Sequence, residues 1–287
     1  MAIIRNDFIS ASIHEKGAEL QQLTASGVDY MWDGNPEVWG KHSPILFPIV
    51  GTLKDNQYQY QGQWYSLSRH GFAREMVFRL AEQEAHRVRF ELSDTADTLA
   101  RYPFHFLLGV DYSLSGNCLT VAYFVTNIGA GPMYFSLGAH PAFRVPLVAG
   151  TNYDDYALRF NKKETADRWP ISADGLIEKR SLRLLEESDT LPLTKALFAK
   201  DALVFKDLQS DRVTLESDKT THGLEMDFRG FPYFGIWAAT GANFVCLEPW
   251  CGIADAVDAS QELTAKEGIN TLAAGERFER SWSVTMH

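Results

Sequence analysis

Three short segments each set an ionisable group among apolar or aromatic residues beside a proline or a glycine. In such a setting burial retunes a proton-transfer group. "SRHGFAR" (Ser68 to Arg74) carries His70 between Arg69 and Arg74. "YFSLGAHPAF" leads through Tyr134, Phe135 and Leu137 to His140, then Pro141 and Phe143. "NFVCLEPWCG" leads through Phe244, Val245, Cys246 and Leu247 to Glu248, then Pro249 and Trp250. A carboxylate closing such a run is expected to be partly desolvated, which raises its pKa and strengthens its anion as a base near neutral pH. A structural ion pair holding a loop is the equal alternative. For His140 alone, a core histidine hydrogen-bonded at a strand end is the simpler reading. His70 is harder to set aside, because Arg69 and Arg74 stay charged and must reach solvent, an anion or a polyhydroxyl partner. A solvated turn is its alternative. The other six histidines have no comparable context.

The elements that must position these groups read as strands. "RVRFELS" (Arg87 to Ser93) puts Val88, Phe90 and Leu92 on one face and Arg87, Arg89 and Glu91 on the other. "CLTVAYFVTN", "DRVTLES" and "RFERSWSVTM" repeat the period, and "YQYQGQWYSL" reads as two short strands turning around Gly62. Strands recurring about every 8–12 residues with turn signals between them predict an all-β sandwich or barrel. Helical signals are few. "SDTADTLARYPF" offers Ser93 or Asp94 as a cap, about two turns, and Pro103 as a stop; "LTKALFAKDALVF" has room for a second short helix. Neither alternates with strands as a doubly wound fold requires. No linker or low-complexity tract interrupts the chain, so one β domain over residues 1–287 is expected.

Composition narrows the function. Of the 287 residues 45% are hydrophobic and 22% charged, ordinary for a soluble globular protein. A formal charge of -10 with no Lys/Arg run argues against nucleic acid and anionic membrane as partners. No apolar stretch approaches the roughly 20 residues of a membrane-spanning helix, and the N-terminus does not resemble a signal peptide. Three cysteines make no disulfide framework. A cytoplasmic protein, monomer or homodimer, is the default expectation. Cys246 and Cys251 do not form a Cys-x-x-Cys pair and no tetrahedral zinc set is spaced along the chain, so no metal is expected. Nucleophile-elbow, P-loop and dinucleotide fingerprints are missing. Two imidazoles, one carboxylate and two or three cations remain, with aromatics between them. That inventory suits proton transfer on a sugar.

"HSPILFPIVG", "SRHGFAR", "RYPFHF", "FSLGAHPAF", "GFPYFGIW" and "CLEPWCG" follow one another in an order and spacing that resembles the aldose 1-epimerase (galactose mutarotase) family, in its LacX-like branch. The resemblance covers nearly the whole chain. It implies an all-β fold, a large antiparallel sandwich of the galactose-mutarotase type with a sugar cleft. It also implies cofactor-free interconversion of the α and β anomers of a free aldohexose. Glu248 matches the family's general base, His140 its general acid and His70 its second, sugar-holding histidine. Arg74 and Asp227 fall near the expected cleft, and Trp250 offers an aromatic face to a pyranose. One departure stands out: many relatives carry an arginine directly after the glycine of "FPIVG", where this chain has Thr52, with Lys54 nearby. Two other readings stay open. Lys54, Arg69 and Arg74 are enough cations for a hexose-6-phosphate mutarotase, and the same fold could serve a non-catalytic carbohydrate-binding protein.

Overall fold

The computed structural model describes residues Met1–His287. Three antiparallel sheets carry the chain. The largest has nine strands in the order Ser188–Pro192, Tyr156–Glu164, Arg212–Ser217, Thr220–Asp227, Arg277–Met286, Cys118–Asn127, Phe106–Ser115, Arg87–Ser93 and Arg79–Gln83. Its alternation is regular: Leu119, Val121, Tyr123 and Val125 are buried, while the residues between them are half-exposed. One face therefore packs on the core and the other meets water.

A second sheet carries the chemistry. Its order is Leu203–Phe205, Tyr233–Trp237, Phe244–Cys251, Leu137–Ala139 and Ile45–Leu46, with Ala142–Arg144 continuing beside Phe244–Cys251. All eight residues of Phe244–Cys251 are buried, as a run with packed faces on both sides requires. A four-stranded sheet over Ala2–Asp29 completes the layers. The sheets share an apolar core of 74 buried residues running from Ala2 to Met286, which makes the molecule an all-β sandwich.

The expected helix over "SDTADTLARYPF" is shorter than two turns and starts later. It spans Ala96–Arg101, and its cap is Thr95 rather than Ser93 or Asp94. The Thr95 hydroxyl accepts from the Thr98 N–H and the Thr98 hydroxyl from the Thr95 N–H, a reciprocal box that Asp94 is one residue too early to make. Asp94 instead accepts from the Phe106 N–H and faces His105. The second helical segment is a single 3-10 turn at Lys195–Phe198, after which Leu203–Phe205 joins the second sheet.

Candidate active site

Leu137–Ala139 and Ala142–Arg144 are two halves of one strand, interrupted at His140-Pro141. Gly138 pairs with Trp250 on one side of the gap, and Ala142 pairs with Cys246 on the other. The register is the same on both sides, so His140 stands directly across from Glu248. Pro141 and Pro249 have no N–H to give, and the ladder opens at this pair. Side chains directly opposite on one face of an antiparallel pair meet. His140 Nε2 accordingly lies 3.3 Å from a Glu248 carboxyl oxygen. Across the strand's other edge Glu248 faces Gly235, whose missing side chain leaves room for the Trp250 ring: a Cβ there would lie 2.5 Å from the indole.

His70 arrives from the turn at Ser68–Gly71. Gly71 has φ +72°, and a Cβ on it would lie 2.3 Å from the Phe47 carbonyl oxygen, so only glycine fits. His70 itself is in the left-handed region, at φ 68°. It is fixed there by Gly51: the His70 N–H donates to the Gly51 carbonyl, and the Gly51 N–H donates to His70 Nδ1. With Nδ1 accepting, the neutral ring carries its proton on Nε2 and is a donor at that end. The His70 and His140 rings meet edge to face, 5.6 Å between centroids. Trp39 stacks on His140 at 5.1 Å, and Trp237 approaches it edge-on at 5.7 Å.

These groups line one cleft of about 490 Å³. Arg69, Arg74 and Trp250 line it too, as does Asp201, which the sequence analysis did not single out. Arg69 and Asp201 face each other at 3.9 Å. Arg74 donates to the Arg69 carbonyl through Nη2, while its buried Nε has no partner. The Trp250 indole N–H lies toward the Glu248 carboxyl without a well-formed hydrogen bond.

Two expected residues are elsewhere. Lys54 starts a 3-10 turn at Lys54–Asn56, and its backbone N–H donates to Asp255. It does not line the cleft, so it does not replace the arginine whose position Thr52 holds. Thr52 is buried against Gly175. Asp227 ends a strand of the nine-stranded sheet, opposite Arg212 and paired with Arg229 at 3.5 Å, outside the cleft. Asp201 supplies the acidic group that Asp227 does not. Its only sequence signal was an acid directly preceding the apolar run "ALVF". Trp39 and Trp237 were visible only as tryptophans in a polar loop and at a strand end.

Burial sets the electrostatics. Glu248 is 2% exposed, and desolvation holds its carboxyl well above 4.5, only partly offset by the Arg69 charge. Desolvation also lowers His140 to about 3 and holds His70 well below 6.5, with the neighbouring cations pushing both the same way. An ionised glutamate beside a protonated histidine is therefore not the resting form of the empty cleft. Burial of the pair favours the uncharged arrangement, with a proton on the carboxyl and a neutral imidazole beside it. The pair is one donor and one acceptor, able to exchange a proton with two neighbouring atoms of a ligand.

Known proteins fit this description. The aldose 1-epimerase family model matches residues 2–271. The chain is 32% identical to protein LacX (plasmid) of Lactococcus lactis subsp. lactis over 99% of this chain and 98% of that one. The crystal structure of a galactose mutarotase related enzyme from Lactobacillus acidophilus superposes with TM-score 0.95 at 36% identity, covering 100% of this chain and 97% of that one. A galactose mutarotase-like protein from Lactobacillus casei gives 0.94 at 33% identity, with both chains covered completely. With the family model spanning nearly its whole length, this chain belongs to the aldose 1-epimerase family.

Proposed function

We propose that the protein is a mutarotase that interconverts the α and β anomers of a free aldohexose. The observation that carries this reading is the opposed, buried Glu248–His140 pair, one proton donor and one acceptor 3.3 Å apart, lining an open cleft. Mutarotation needs that stoichiometry. One group takes the proton of the C1 hydroxyl while the other gives a proton to the ring oxygen. The C1–O5 bond breaks with its electron pair on O5, and C1 becomes an aldehyde. Rotation about C1–C2 presents the other face, and closure runs the transfers in reverse. The pair starts and ends each half-cycle with one proton, moved from one partner to the other.

O1 and O5 share one carbon, so two groups in contact with each other can serve both. The uncharged form favoured in the empty cleft is the form that accompanies the open aldehyde if Glu248 takes the O1 proton. His70, with Nδ1 tied to Gly51, offers its Nε2–H to a sugar oxygen. Arg74 adds positioning and stabilises negative charge on the reacting oxygens. Trp39, Trp237 and Trp250 supply faces against which pyranose C–H groups pack.

Asp201 favours an unphosphorylated substrate over a hexose 6-phosphate. It sits in the cleft facing Arg69, where a phosphate would meet its charge, and Lys54 does not line the cleft. Anomer exchange measured by magnetisation-transfer NMR on glucose, galactose and glucose 6-phosphate tests the reading. Acceleration of the free aldoses is expected. Acceleration of glucose 6-phosphate alone would replace the substrate, and no acceleration of any aldose would leave a binding protein.

A further inference from the structure

The proton-transfer scheme makes no use of Cys246, although the sheet delivers its side chain to the same place. Cys246 lies two residues before Glu248 on Phe244–Cys251, so both side chains leave the same face of the strand. His140 is across from Glu248 and diagonal to Cys246, within cross-strand reach of both. The Cys246 sulfur, a His140 ring nitrogen and a Glu248 carboxyl oxygen all lie within 4.8 Å of one another, and all three residues are buried.

One edge of this triangle has the length found in a coordination sphere, and the other two are no longer than 4.8 Å. Zinc bonds of about 2.0 Å to nitrogen and oxygen and about 2.3 Å to sulfur, arranged tetrahedrally, put the ligand atoms about 3.3–3.6 Å apart. The His140–Glu248 edge already measures 3.3 Å. The sulfur, within 4.8 Å of both, closes by up to about 1.3 Å to complete the face. Cys246 is fully buried and does not line the cleft, but His140 and Glu248 do, so a fourth position on the cleft side opens toward water or a sugar hydroxyl. Three protein ligands with one open position is the arrangement of zinc sites that admit water or a ligand, whereas purely structural sites are closed. A thiolate in the set selects thiophilic cations over magnesium or calcium.

We propose that the cleft is also a binding site for a thiophilic divalent cation of the zinc and cadmium class, held by Cys246, His140 and Glu248. Its occupancy blocks proton transfer on the sugar. Coordination releases the thiol proton and the proton of the Glu248–His140 pair to water, and the metal takes the lone pairs that the reaction needs. Cation and sugar then exclude each other. The blocking clause rests on the mutarotase reading above; the binding clause does not.

Cadmium ion is the probe, because its bond to a thiolate gives an ultraviolet charge-transfer band. In the full-length protein the band should saturate at one equivalent. It should persist in Cys118→Ser, where a half-exposed thiol is removed, and be lost in Cys246→Ser. Saturating glucose should move the titration to higher cadmium concentration. No band, or a band that survives in Cys246→Ser, overturns the site. Should Cys246→Ser fail to fold, cadmium NMR of the unaltered protein decides. A resonance in the range of one sulfur with nitrogen and oxygen ligands supports the site, and one in the all-oxygen range overturns it. If the band forms while anomer exchange proceeds undiminished, the blocking clause falls and the mutarotase reading stands. If no variant or condition shows anomer exchange, that reading falls and the cadmium titration still decides the site.

Discussion

Glu248→Gln separates the proton inventory of the site from its shape. The amide keeps the size of the carboxyl and cannot ionise. In the unfolded chain Glu248 loses its proton around 4.5, whereas burial keeps that proton on the folded pair to well above this value. Above pH 4.5 the folded protein thus binds one more proton than the unfolded chain does at this residue. The stabilisation this proton provides is complete below 4.5 and is lost as pH rises, at about 1.4 kcal/mol per unit, until Glu248 ionises in the folded state. The Gln variant has no such loss. His140, lowered to about 3, and His70 stay neutral in both proteins and cancel in the comparison. The difference in unfolding free energy, variant minus wild type, should therefore climb by about 1.4 kcal/mol for each pH unit above 4.5. Urea titrations at a series of pH values read it directly, and a constant packing offset does not affect the slope. A difference that does not change with pH would refute the reasoning, because Glu248 would then titrate normally despite its burial. Activity should move the opposite way, with anomer exchange falling by about 10²–10⁴-fold.

His140→Asn should lose anomer exchange by a similar factor while keeping most sugar affinity, measured by magnetisation transfer and calorimetry. His70→Asn should lose rate and affinity together, since its Nε2–H is a binding contact as well as a polarising one. Lys266→Met should destabilise the fold by about 3–5 kcal/mol, seen as a lower urea midpoint with unchanged slope. It leaves Asp255 buried without the ammonium that now sits 2.7 Å away. Gly71→Ala should reduce both stability and activity, because its Cβ meets the Phe47 carbonyl and displaces the turn that presents His70. Normal activity in a folded Gly71→Ala protein would show that the turn geometry does not position His70.

Strand-forming segments were legible because one face of each strand meets water. Arg87–Ser93, Cys118–Asn127 and Arg277–Met286 have the predicted bounds. Helix starts were not, since both Asp94 and Thr95 are capable caps and only the reciprocal bonds of Thr95 decide between them. The ionisable residues at Pro/Gly breaks in apolar runs were the useful signal for the site. His70, His140 and Glu248 carry it, and the structure brings them together. What the chain could not reveal is register. That His140 faces Glu248 depends on the pairing of strands far apart in sequence, and the two prolines that open the ladder look like ordinary turn signals when read singly. Asp227 and Lys54 failed for the same reason. Proximity in sequence to cleft-lining segments does not say which sheet, or which side of a turn, a side chain belongs to. The depth of burial of His140 and Glu248 is likewise a property of the packed sheets.

Catalysis as proposed requires Glu248 and His140 to act together on the two oxygens of one anomeric carbon. A crystal structure of the Glu248→Gln protein with a bound aldohexose tests it most directly, since the slowed variant holds its ligand. The residue 248 side chain and the His140 ring should lie within hydrogen-bond distance of O1 and O5, one each, with His70 on another oxygen of the same sugar. A sugar bound in the cleft with its anomeric carbon turned away from residues 140 and 248 would contradict it.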